Sequence, residues 1–158
     1  MIEGDQEEKE EERHRYLELL GELRTIIPGV QVLFAFLLTV PFSSRFVQID
    51  RMGKVVFTVS LMAVAAATTL LLGPAAYHRL ADRQDRRGRL QYGVRLAVAG
   101  MALLALSISC AMFVVGRFLF DDTRVGIGLA AAVAVTAAVI WYIVPITRRW
   151  RSGGVSER

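Results

Sequence analysis

The sequence predicts an all-α protein, a bundle of four transmembrane helices preceded by an amphipathic surface helix. Three observations carry this expectation. First, four stretches hold no Asp, Glu, Lys or Arg: residues 25–44, 55–77, 96–116 and 125–147. Each is about twenty residues or slightly more, about 30 Å as helix, which matches the hydrocarbon thickness of a bilayer. Second, the chain is 54% hydrophobic, with a mean hydropathy of +0.42, high for a water-soluble domain of 158 residues. Third, the cations are unevenly distributed. Fourteen of the nineteen Lys and Arg fall in the N-terminal segment, the second connecting loop and the C-terminal tail. Cationic segments stay on the cytoplasmic side of a membrane. Both termini and the second loop are therefore expected in the cytoplasm, and the protein in the cytoplasmic membrane.

Aromatic residues agree with that orientation. Tyr16, Tyr77, Tyr92, Tyr142, Trp141 and Trp150 lie at or near the expected inner ends, and Phe42, Phe46, Phe118 and Phe120 at the outer ends. Tyr and Trp favour the interface because an apolar ring carries a hydrogen-bonding edge. The net charge of +4 is explained by these membrane flanks, and no nucleic-acid partner is expected.

Residues 1–12 are acidic, with seven carboxylates against one Lys9, and lack apolar periodicity. They read as a disordered tail or a frayed helix. A signal peptide would need a basic start, so the first span is expected to stay. In residues 13–27, Tyr16, Leu19, Leu20, Leu23 and Ile27 recur at helical spacing among Glu18, Glu22 and Arg24, which marks an amphipathic helix at the inner surface. Thr25 is placed to cap a new helix with Pro28 in its first turn.

The membrane domain covers residues 28–147, and the basic tail 148–158. In the first span, Pro41 is expected to kink or end the helix, with Ser43 and Ser44 meeting freed carbonyls. Gln31 is the most polar side chain deep in a span. Its amide needs a partner, so Gln31, with Thr39, is a candidate intramembrane polar contact. Two rows of small residues mark span four: Gly126, Ala130, Ala134 and Ala138, then Gly128, Ala132 and Thr136. Such rows let helix backbones approach closely, by default within the bundle. A weaker row, Gly93, Ala97, Met101, Ala105 and Ser109, marks span three.

Chemistry is sparse. Between their charged flanks the spans carry no ionisable group apart from His78 at the edge of span two. A charged group at mid-span costs about 2.5–3.5 kcal/mol on insertion scales, so it would signal function. Metalloprotease, phosphate-loop and nucleophile-elbow motifs are absent from the sequence. His14 and His78 are too few for a histidine-rich metal site. Cys110 alone forms no internal disulfide and reads as a small apolar filler. Neither an enzyme, a metal nor a cofactor is expected.

The best candidate surface is the second loop with its flanks: Tyr77, His78, Arg79, Arg83, Arg86, Arg87, Arg89 and Arg95. Basic residues near a membrane attract anionic headgroups by about 1 kcal/mol each. Asp82 and Asp85 are spaced to pair with Arg86 and Arg89, and Gly88 to turn the chain before span three. Three readings of the loop stand: a topology determinant, a surface for lipid headgroups or a cytoplasmic partner, and a proton-handling site at His78.

Residues 19–46 (LLGELRTIIPGVQVLFAFLLTVPFSSRF), 70–80 (LLLGPAAYHRL) and 141–149 (WYIVPITRR) together resemble a family of small four-span bacterial membrane proteins, mainly actinobacterial, known only as a domain of unknown function. The resemblance runs from about Tyr16 to Arg149. It implies four spans, and takes Gln31, Pro41, Pro74, Tyr77, His78 and Arg79 as the family's pattern. It implies no catalytic residues. Members sometimes bear a sodium–proton antiporter label, but no span here holds the coupling carboxylate. The resulting expectation is a non-catalytic membrane protein, oligomeric or accessory to a membrane partner. A small transporter or channel is the alternative.

Overall fold

The computed structural model describes the backbone of residues 2–80 and 86–143, and the side chains chiefly of 24–74 and 92–143. It is helical almost throughout, with no strand among the described residues. Four long helices follow in order: α1 (Ile2–Thr39), α2 (Arg51–Leu80), α3 (Arg86–Phe120) and α4 (Thr123–Ala138). A π-helical turn, Val139–Ile143, extends α4. Candidate spans run over Arg24–Phe42, Arg51–Pro74, Tyr92–Phe120 and Thr123–Ile143.

One helix, α1, runs through residues that the sequence divides into tail, surface helix and span. Glu, Lys, Gln and Arg are good helix formers, and acids near an N-terminus suit the helix dipole. Thr25 does not cap a new helix. It lies inside α1, and its Oγ1 donates to the Gly21 carbonyl at 3.3 Å. Pro28 is likewise internal. Pro41 does end the helix, which gives way after Thr39 to a 3-10 turn over Val40–Phe42. The hydroxyl that meets a carbonyl at this end is Thr39's, donating to Phe36 O at 2.7 Å. Ser43 Oγ instead accepts from the Arg45 N–H at 3.3 Å.

Chain contacts define two compact units: Met1–Gln48 with Leu61–Leu104, and Ile49–Ser60 with Ala105–Arg158. In the first unit α1 buries Val30 and Leu37. The α2 portion buries Val64, Ala67, Leu71 and Pro74, and the α3 portion Gly93, Ala97, Gly100 and Leu104. The α2 and α3 backbones approach closely here. A Cβ on Gly100 would stand 2.9 Å from Leu71 Cγ and 3.4 Å from the Ala67 carbonyl oxygen, and one on Gly73 would stand 2.6 Å from Leu96 Cδ1.

In the second unit the start of α2 buries Gly53, Phe57 and Ser60. Ser107 and Val114 are buried on one line of α3, and Ser109, Phe113 and Gly116 on another. The second line meets α4. A Cβ on Gly126 would stand 2.8 Å from the Phe113 carbonyl oxygen, and one on Gly116 would stand 3.2 Å from Gly126 Cα. Here the small-residue row of span four enters the packing. It leaves again within two turns: Ala134 and Ala138 are exposed, and Ala137 is buried instead. A four-residue step turns about 400° on an α-helix, so the row drifts by roughly 40° at each step.

Seven buried positions on α2 (Gly53, Phe57, Ser60, Val64, Ala67, Leu71, Pro74) alternate steps of four and three, with Ala63 buried beside them. On α3 the line Gly93, Ala97, Gly100, Leu104, Ser107 does the same and resumes at Val114. This spacing is the heptad pattern of a helix–helix seam, which membrane bundles share with coiled coils. The row expected on span three begins on it, then diverges. Met101 and Ala105 are only half-buried, and Gly100 and Leu104 take the seam.

Large apolar side chains face outward, among them Phe36 at 68%, Met62 at 65% and Leu119 at 68% exposure. In water such surfaces would associate, whereas in a bilayer they meet hydrocarbon.

Candidate functional site

Two buried serines form the tightest polar feature. Ser60 on α2 and Ser107 on α3 are both fully buried. Ser60 Oγ donates to the Ser107 carbonyl at 2.8 Å, and Ser107 Oγ donates to the Ser60 carbonyl at 2.9 Å. The two oxygens lie 3.2 Å apart. Two hydroxyls carry two protons, and both go to carbonyls already engaged in helix bonds. The pair is reciprocal and closed. It requires short side chains on both helices, and it fixes their register through one point of contact. Ser109 Oγ donates within its own helix, to Ala105 O at 2.8 Å.

At the junction of α2 and α3 in the second unit, Asp50 acts twice. Its Oδ1 accepts the Gly53 N–H at 3.0 Å, which caps α2. Its Oδ2 accepts from Arg117 Nη2 at 2.8 Å. Arg117 Nη1 also reaches Met52 Sδ at 3.0 Å. The carboxylate sits at a helix N-terminus and the guanidinium in a helix C-terminal turn, so both charges suit their dipoles. With side chains 50% and 27% exposed, the pair contributes at most about 1 kcal/mol. A second cap starts α4. Asp121 takes a left-handed φ of 51° and Asp122 Oδ1 accepts the Arg124 N–H at 2.7 Å. Asp tolerates that conformation better than most residues.

An apolar groove of about 330 Å³ opens between α3 and α4, lined by Ala105, Ile108, Ala132, Val133, Thr136, Ala137, Ile140 and Trp141. Its one hydroxyl, Thr136 Oγ1, is spent on Ala132 O at 2.8 Å. The groove offers hydrocarbon contact and no charge. Among the described residues no three His, Cys, Asp or Glu side chains come together as a metal site.

The candidate loop is placed only in part. Tyr77, His78 and Arg79 lie on the last turns of α2, and Arg86, Arg87 and Arg89 on the first turns of α3. Their side chains, and Asp82, Arg83 and Asp85 entirely, lie outside the described residues. Gly88 is inside α3, so it does not turn the chain. Arg95 is exposed. Gln31 is also exposed, on a face of α1 away from Val30 and Leu37, and its amide makes no hydrogen bond among the described residues. Thr39 is satisfied by its own helix.

Sequence reading passed over Ser60, Ser107 and the Asp50–Arg117 pair. The first two were legible as the polar positions on two heptad seams otherwise made of Gly, Ala, Pro, Phe, Val and Leu. Asp50 carries a cap signal, standing three residues before Gly53 at the start of an apolar run.

Four helices long and apolar enough to cross a bilayer make this a multi-pass membrane protein. Within that class the chain belongs to a family of unknown function, DUF6328, whose model matches residues 5–145. No match is found among curated proteins or among solved structures.

Proposed function

We propose that the protein is a non-catalytic membrane subunit that works by assembling with other membrane components. It lies in the cytoplasmic membrane with both termini inside. The single observation that supports this most is how polar groups inside the spans are used. The buried serine hydroxyls are spent on helix–helix and intrahelical bonds. The groove between α3 and α4 is apolar. The interior is committed to holding helices together. The cationic distribution supports the orientation, and the basic residues around the second loop suit anionic headgroups or an acidic partner face.

Purification from native membranes in mild detergent, with mass by light scattering, tests the reading. The expected species exceeds one chain, as an oligomer or a complex of fixed stoichiometry. A monomer with no companion would overturn it. Ion flux in proteoliposomes above that of empty liposomes would favour a transporter. For orientation, a reporter after Arg158 is expected to read cytoplasmic and one near Asp122 external; the reverse pattern defeats the topology.

A further inference from the structure

We infer that α1 is the contact through which two copies of this chain pair, with Gln31 facing Gln31 of the second copy. This deepens the assembly reading above and rests on it. Gln31 lies seven residues beyond Arg24, the first residue of its span, which is about 10 Å along the axis. An amide at that depth has no bulk water, and leaving its donors and acceptor unmet is costly. Nothing in its own chain satisfies it among the described residues.

The residues around it form a stripe. Pro28, Gln31, Ala35 and Leu38 of α1 are spaced by three, four and three, and all are exposed. At about 100° per residue the stripe is centred roughly 130° away from the buried line of Val30 and Leu37. That spacing is the register of a helix–helix seam, with the polar residue near its centre and a small residue, Ala35, one turn on. The stripe stops at Pro28 because Arg24, the next position in register, is charged.

Symmetry selects the occupant. Two copies insert the same way round, so a two-fold axis along the membrane normal sets each seam residue against itself. Most polar side chains cannot satisfy their own copy. A carboxylate only accepts, and an ammonium only donates. A carboxamide does both, so each Gln31 carbonyl takes an N–H from the other.

Two measurements on the full chain test this. In a Cys110→Ser background, membranes carrying Ala35→Cys or Leu38→Cys are expected to form disulfide-linked dimers on oxidation. Phe36→Cys, exposed but roughly 120° around the helix, is expected to remain monomeric. By energy transfer between labelled copies diluted in liposomes, Gln31→Leu is expected to weaken dimerisation about three- to twentyfold, and Gln31→Asn to retain it. A chain monomeric at every dilution would remove this contact and self-assembly with it, while a complex with a different protein is decided by the purification above. A dimer indifferent to Gln31→Leu, or one cross-linking through Phe36→Cys, would remove this contact and leave assembly standing. Cross-linking of the stripe to a different protein would overturn the second copy as its occupant.

Discussion

α2 and α3 bury 33% of their most apolar windows, and α1 and α4 bury 11%. All four read alike by hydropathy, which runs from 1.9 to 2.4. Apolar content takes a helix into the bilayer and does not decide what it touches there. Small and polar residues decide that. On α2 and α3 they lie on the heptad seams and face inward: Ser60, Ala67, Gly93, Gly100 and Ser107 are buried. On α1 the polar residue Gln31 faces outward, and on α4 Gly128 is exposed with open space around it. The first pair is finished within the chain, and the second leaves faces for lipid or protein.

The largest expected effect is at Gly126, where this lightly buried helix meets α3. Gly126→Ala sets a methyl against a backbone carbonyl that cannot rotate away, and is expected to destabilise by about 1–3 kcal/mol, read by unfolding in mixed micelles. Gly128→Ala, two residues on, meets nothing within 4 Å and is expected to be neutral or slightly stabilising. Equal effects at the two glycines would break the distinction between the faces of α4.

Next comes the serine pair. Ser60→Ala or Ser107→Ala alone is expected to cost about 1 kcal/mol. The double variant is expected to cost about the sum of the singles, because each hydroxyl donates to a backbone carbonyl that the other substitution leaves in place. A double-variant cost far from that sum would show that each hydroxyl depends on the other and not on the facing carbonyl alone. Smaller still is Asp50→Asn, expected to cost at most about 1 kcal/mol and to matter less at high salt, since the Arg117 pair is partly exposed. Least of all, Gln31→Leu is expected to leave the unfolding of the isolated monomer within about 0.5 kcal/mol, as for an exposed residue whose amide makes no hydrogen bond among the described residues. A large loss there would place Gln31 inside the fold.

The four spans were legible because each charge-free run is set off by charged residues, and Pro41 ended its helix as a missing donor must. The join between the acidic segment and the first span was not legible. Poor apolar periodicity in residues 1–12 reads as a disordered tail or a frayed helix, and Glu and Lys support helix without any apolar face to bury. The row Gly126, Ala130, Ala134, Ala138 was half legible. A four-residue spacing marks a seam for two turns before the helix rotates it away, so Gly126 packs and Ala138 does not. The Ser60–Ser107 clasp joins residues 47 apart in sequence, and finding it needs the register of two helices at once. The expected site around His78 falls largely outside the described side chains, and its chemistry rests on the loop's charge alone.

The continuity of α1 has a mechanical consequence. Its 38 residues correspond to about 57 Å of helix, nearly twice the hydrocarbon thickness. The acidic end and Gln31 therefore ride on one shaft. Within one helix the angular position of the acidic residues relative to the amide is fixed by the number of residues between them. One residue inserted between them would offset the two by about 100°.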